Sequence, residues 1–162
     1  MNAAKSAYAG AVLFAALLAL TITVGSQQST ALVIAMGVIG AAAHLVLMPV
    51  VGAMNAPDWA RAAGYGWLVV DTMVTVATLN GLPPGIAGPL TLGSHASSAL
   101  WMASVAQNAR GPVTAIGWPL AIYLAFHAFA TPWLPAWSLY PSFATIPIWL
   151  VFIGRSLQPR SA

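Results

Sequence analysis

Apolar residues in this chain come in long blocks rather than in alternation or narrow stripes. Cut at its polar and Pro/Gly-rich breaks, the sequence leaves six such blocks, near 7–25, 31–54, 58–80, 86–108, 113–132 and 138–155. Each approaches the ~20 residues that carry a helix across ~30 Å of hydrocarbon at ~1.5 Å per residue. Inside lipid such segments must be helical, because backbone N–H and C=O groups find no water there. The pattern predicts an all-α polytopic membrane protein, a single six-helix transmembrane domain over residues 1–162. The first block competes with a signal peptide flanked by Lys5. Its apolar stretch is longer than an h-region of ~7–15 residues, so it reads as a retained helix. The last block is short and contains Pro147.

Composition agrees with the blocks. Hydrophobic residues make up 60% of the chain and charged residues 4%, against about 25% charged in a soluble domain. So few charges cannot cover a folded surface in water, which makes the lipid bilayer the first expected partner. The formal charge of +3 comes from scattered residues with no basic run, which argues against nucleic acid as a partner. The absence of cysteine excludes disulfides, thiolate metal sites, iron–sulfur ligation and a cysteine nucleophile.

Charge position sets the expected orientation. With six spans, Lys5, Arg61, Arg110, Arg155 and Arg160 all fall on one side. The opposite side carries SQQST, NGLPPG and TPWLPAWSLYP, without a charge. The positive-inside rule then places both termini in the cytoplasm. Within NAPDW, Asn55 is expected to cap a helix, with Pro57 in its first turn and Asp58 at its positive end. Trp59, Tyr65 and Trp118 mark one interface, and Trp133, Trp137 and Tyr140 the other. Trp101 lies deeper, and Trp67 is a second candidate for depth. Gly37, Gly40, Ala41, Ala42 and Ala43 give the second helix a surface for close packing.

HLVLMP, from His44 to Pro49, and HAFATP, from His127 to Pro132, share one His-x4-Pro spacing at an offset of 83 residues. That offset superposes three helices on three of opposite direction, the 3+3 inverted repeat of many transporters. Coincidence of two residues in each half is the competing explanation.

Asp71 is one of two acidic residues and falls in the middle of the third block. An ionised carboxylate at mid-bilayer costs ~2.5–3.5 kcal/mol on insertion scales, so it must be neutral, paired or hydrated. Thr75 and Thr78, four and seven residues on, share its face. His95 on the fourth helix falls at the same counted depth, with Ser94, Ser97 and Ser98 around it. An Asp71–His95 hydrogen bond is therefore within reach if the faces of the two helices agree, with His44 deeper and His127 nearer the outer surface. The polar track is Asp71, His95, Thr75, Ser98, His44 and His127. It serves either as a proton or solute path or as a structural clasp that sets helix register.

Three chemistries can be compared on these residues. Intramembrane hydrolysis has Ser98 three residues from His95 but neither a nucleophile elbow nor an evident oxyanion hole, so no catalytic residue is assigned. Haem or metal ligation has three histidines at unequal depths and no acidic pair, so no cofactor and no metal are assigned. Movement of protons or a small solute along the track is the preferred function. The alternative is an accessory or sensory membrane subunit acting through helix contacts, as a homo-oligomer or with a membrane protein partner.

LWMASVAQNARGPVTAIGWPLAIYLAF, Leu100–Phe126, and PIWLVFIGRSL, Pro147–Leu157, are similar to stretches of small uncharacterised bacterial six-helix integral membrane proteins. In those an Arg-containing turn precedes a Gly-Trp helix, and the last helix closes on Gly-Arg. The resemblance implies a bacterial inner-membrane location and no activity.

Overall fold

The computed structural model describes residues 2–24 and 29–159. Arg160 and most of the SQQST connection lie outside the described residues. All regular structure among them is helical. The helices are α1 (Ala3–Val24), α2 (Thr30–Leu45), α3 (Met48–Ala53), α4 (Asp58–Leu79), α5 (Pro84–Asn108), α6 (Pro112–Ala130) and α7 (Tyr140–Ser156). Two 3-10 turns, Thr131–Trp133 and Ala136–Leu139, join α6 to α7.

α2 and α3 are one rod with a break. Pro49 has no N–H to give the Leu45 carbonyl, so the chain turns through Val46 and Leu47 and resumes. Counting that rod once gives six. Five of them are long and apolar enough to cross a membrane. The remaining one, α5, has 25 residues, ample length at ~1.5 Å each, but its Thr, Ser, His, Gly and Pro residues dilute its apolarity. α7 continues as a helix through Pro147. At the start of α4 the expected cap is corrected: Pro57 occupies the N-cap position in extended conformation, and no side chain caps the helix. Asn55 stands too far back. Asp58 is in the first turn as expected, paired with Arg61 at 3.1 Å.

The rods close into a ring in chain order. α1 packs on α2, α2 on α4, α4 on α5, α5 on α6 and α6 on α7, and α7 returns to α1. Short connections make neighbours antiparallel. Lys5, Arg61, Arg110 and Arg155 consequently share one end of the ring, the basic end. The connections 80–83 and 131–139 mark the other, charge-free end.

Polarity is inverted relative to a water-soluble bundle. Val12, Val38, Met73, Ile122, Phe126 and Phe129 are exposed on the outside, whereas Asp71, Ser94, Ser98 and Ser142 are buried inside. Apolar exposure on this scale is rare in water and ordinary against acyl chains. Trp59, Tyr65 and Trp118 are exposed toward the basic end, and Trp133, Trp137 and Tyr140 toward the charge-free end.

Toward the basic end the ring interior is closed by a tryptophan layer. Trp101 and Trp149 are 0% exposed, and their rings meet edge to face at 5.6 Å. Trp67 leans on Trp101 at 6.0 Å. The Trp149 indole N–H donates to the Val113 carbonyl at 2.9 Å, anchoring α7 to α6. Glycines make room for the layer. A Cβ on Gly64 would come within 2.8 Å of the Trp101 ring, and one on Gly117 within 2.9 Å of the Trp149 indole nitrogen.

Trp101→Ala empties a closed part of this layer and is expected to destabilise the fold by about 3–5 kcal/mol. Trp133, 82% exposed on the surface, is the control. Unfolding titrations in mixed micelles should show a large midpoint shift for Trp101→Ala and almost none for Trp133→Ala; equal midpoints would contradict the layer.

Candidate functional site: a carboxylate–imidazole pair on a central cavity

Asp71 lies on the inward face of α4, 7% exposed, and both its oxygens are engaged. The indole N–H of Trp67, one turn earlier on the same helix, donates to Oδ2 at 2.8 Å. His44 Nε2 approaches Oδ2 at 3.2 Å from α2. Ser94 Oγ of α5 bonds Oδ1. That hydroxyl also lies 2.7 Å from the Thr91 carbonyl, and its single hydrogen serves one acceptor at a time. Three consecutive rods thus meet on one carboxyl group.

This arrangement corrects the Asp71–His95 pairing, because the faces of the two helices do not agree. Successive helix positions are ~100° apart, so Ser94 facing α4 turns His95 away from Asp71. The histidine that reaches Asp71 is His44. Counting depth along each rod hid it, because such counting ignores tilt and unequal starting heights. Trp67, by contrast, was discoverable from its i−4 position.

His44 Nδ1 lies 2.7 Å from the Gly40 carbonyl. A carbonyl only accepts, so Nδ1 carries a hydrogen and donates it there. Nε2 faces the Asp71 carboxyl oxygen at 3.2 Å. Phe14 and Trp67 hold the imidazole edge to face from both sides, at 5.3 and 5.5 Å.

His95 occupies a different setting. Its ring stands edge-on to that of His127 at 6.2 Å, and its Nδ1 is buried without a hydrogen-bond partner. Ser98 Oγ donates to the His95 backbone carbonyl at 2.7 Å, so its hydroxyl is not held on the imidazole. His127 is tied on both nitrogens, to Ser138 Oγ and Thr131 Oγ1, each at 3.1 Å. Tyr123 bonds the Ser138 carbonyl. His127 therefore fastens the 3-10 connection down over the ring. The predicted track divides into two groups, Asp71 with His44 and His95 with His127.

Asp71, His44 and His95 border a central cavity of about 240 Å³ to which all six rods contribute. Asp71, Thr75, His95 and Ser98 line it from α4 and α5, His44 from α2, and Phe14, Leu124, Ser142, Phe143 and Ile146 from α1, α6 and α7. Leu139, from the connection held by His127, also lines it. Gly37, Thr75 and Thr91 are shared with a wider groove of about 440 Å³ that reaches Thr78 and Pro84 toward the charge-free end. Trp67 forms part of the floor, with the tryptophan layer beneath. Among the described residues no group of three or more His, Asp or Glu side chains is placed to hold a metal ion.

Removing one member of a buried pair strands the other, at about 3–5 kcal/mol. Asp71→Leu and His44→Leu should each destabilise on that scale. The double variant should cost less than the sum, by about 0.5–3 kcal/mol of coupling. Additive losses in a double-mutant cycle would mean the two groups do not interact.

No protein-family model, curated protein or solved structure matches this chain.

Proposed function

We propose that the chain is an integral membrane protein of six crossings, α5 included, that moves protons or a small solute through its central cavity. The observation that carries the proposal is the contact between Asp71 and His44, at 3.2 Å, on the wall of a cavity bordered by every rod. Ionisable groups inside a membrane bundle mark ion and substrate paths. Here a proton gained or lost at the pair changes its charge, which a further proton or another charge must balance. That requirement is the physical basis for coupling.

The cavity leads toward the charge-free end, and the tryptophan layer stands below it. Movement across the membrane by alternating access requires that layer to part. Trp67 belongs to the layer and donates to Asp71, so the state of the carboxyl group bears directly on the floor. α5 can cross despite its composition because Ser94, His95 and Ser98 turn toward protein and cavity rather than lipid. The basic end is the cytoplasmic one by the positive-inside rule, and the bacterial inner membrane is the proposed location. A 3+3 inverted repeat is part of this reading: both His-x4-Pro sequences sit where their rod breaks, and the two rods run in opposite directions.

A second reading, an accessory subunit acting through helix contacts, draws on an apolar groove of about 300 Å³ outside α5 and α6, lined by Ala96, Ala103, Ala125 and Trp118. The small-residue face of α2 does not favour it. Gly37 packs against Leu79, and Gly40 is buried toward Leu17.

In proteoliposomes, Asp71→Asn should abolish proton movement or uptake while the variant remains folded; wild-type flux in that variant would refute the path. Because the chain has no cysteine, crossings can be mapped with single introduced thiols. Gly81→Cys and Arg110→Cys, at opposite ends of α5, should react with membrane-impermeant reagents from opposite sides. Labelling from one side would remove α5 as a crossing.

A further inference from the structure

We infer that an open pocket at the basic end of the ring binds the phosphate of an anionic phospholipid, with Arg110 as its main contact. The inference rests on the membrane location proposed above and not on transport.

The chain has two side-chain carboxylates, Asp58 and Asp71. Asp58 is paired with Arg61 at 3.1 Å, and Asp71 is engaged in the ring interior by His44, Trp67 and Ser94. Among the described residues neither carboxylate pairs with Lys5, Arg110 or Arg155. The basic end therefore carries positive charge that acidic side chains of this protein do not neutralise. Of these cations it is Arg110 that lines the pocket. A guanidinium stays charged, and its planar fork matches the oxygens of a phosphate.

The pocket is built from element ends. Asn55 lies just beyond α3, Asn108 closes α5, Val113 opens α6, and Leu157 follows α7. Arg110 stands in the three-residue connection between α5 and α6, where Gly111, with φ 63°, makes the tight turn. Ends of membrane-spanning helices lie at headgroup level, and exposed Trp59 and Trp118 stand toward the same end. The cytoplasmic leaflet is rich in anionic lipid, and basic pockets between helices on that side take lipid head groups.

The sequence offers Asn55 as a helix cap, but no side chain caps α4, and Asn55 lines the pocket instead. Asn108 gives one amide hydrogen to the Ser104 carbonyl at 2.8 Å and retains a second. Ser156 donates to the Ile153 carbonyl at 2.8 Å, so its hydroxyl has no hydrogen left for a ligand. Arg110, Asn55 and Asn108 are the side-chain donors available to a phosphate. Among the described residues lining the pocket none is acidic, and Met54, Val105 and Val113 add apolar surface. That surface suits the glycerol and upper acyl carbons of a lipid, which a free phosphate ion lacks.

The test is native mass spectrometry of protein released from nanodiscs of equal phosphatidylglycerol and phosphatidylcholine, counting the lipids retained. Phosphatidylglycerol should be retained about fivefold over phosphatidylcholine, the effect of one basic residue near an anionic surface. Arg110→Gln should remove most of that preference, and Arg110→Lys should keep much of it. Arg110 is exposed, so its replacement leaves the packed interior intact. Lys5→Gln, at the same end but outside the pocket, should change little. Equal losses for Arg110→Gln and Lys5→Gln would point to a general field and overturn the site, as would a preference that survives Arg110→Gln. Displacement of the lipid by inorganic phosphate would assign the pocket to a soluble ion and overturn the lipid. Protein that inserts but shows no headgroup preference sinks this inference and leaves the membrane location standing, whereas failure to insert sinks the location and this inference with it. Retained phosphatidylglycerol without proton movement counts against transport alone.

Discussion

A carboxyl group placed far from water needs partners, and in this fold Asp71 receives them from three rods. Trp67 comes from its own helix, His44 from α2 and Ser94 from α5. Each contact sets the rotation of a helix about its axis. With α4 turned to present Asp71 inward, Thr75 enters the cavity wall and Thr78 the groove beyond. With α5 turned to present Ser94, His95 is directed to the cavity and toward His127. The polar interior follows from satisfying one group.

The ring divides along its axis into a packed part and a hollow part. Toward the basic end, indole rings fill the centre and glycines admit them. Toward the charge-free end the centre stays open, under a connection tethered by His127 and Tyr123. Dispersion contacts are short-ranged and demand complementary shapes, so the packed part is suited to stay rigid. The hollow part is lined by hydroxyls and imidazoles. Trp67 belongs to both parts and is the mechanical link between them.

Much of the architecture was legible without coordinates. Long apolar blocks and the one-sided distribution of basic residues each reflect a one-dimensional property, since an α-helix satisfies its own backbone groups within one segment. The break before Pro49 falls inside a block that the sequence presents as continuous, and Pro89, Pro119 and Pro147 sit in helices that run on, so a missing N–H alone does not decide where a helix stops. The polarity of α5 misled no length estimate but leaves it outside the clearly apolar helices, because its polar residues serve the interior. The site was legible only in its membership. Asp71, His44, His95, Thr75, Ser98 and His127 all reappear around the ring interior, yet the pairing left open between Asp71 and His95 is made by His44 instead.

What the linear chain decides here is which segments are helices, which end of the ring is basic, and that a mid-helix carboxyl group must find company. Those properties depend on hydropathy, local charge and backbone chemistry, each set by near neighbours in sequence. Which histidine supplies the company, and which is left with an empty nitrogen, depends on helix rotation, tilt and relative height. Rotation alone changes by ~100° per residue, so an error of one position exchanges Ser94 for His95. Only packing of all six rods around the tryptophan layer removes that freedom.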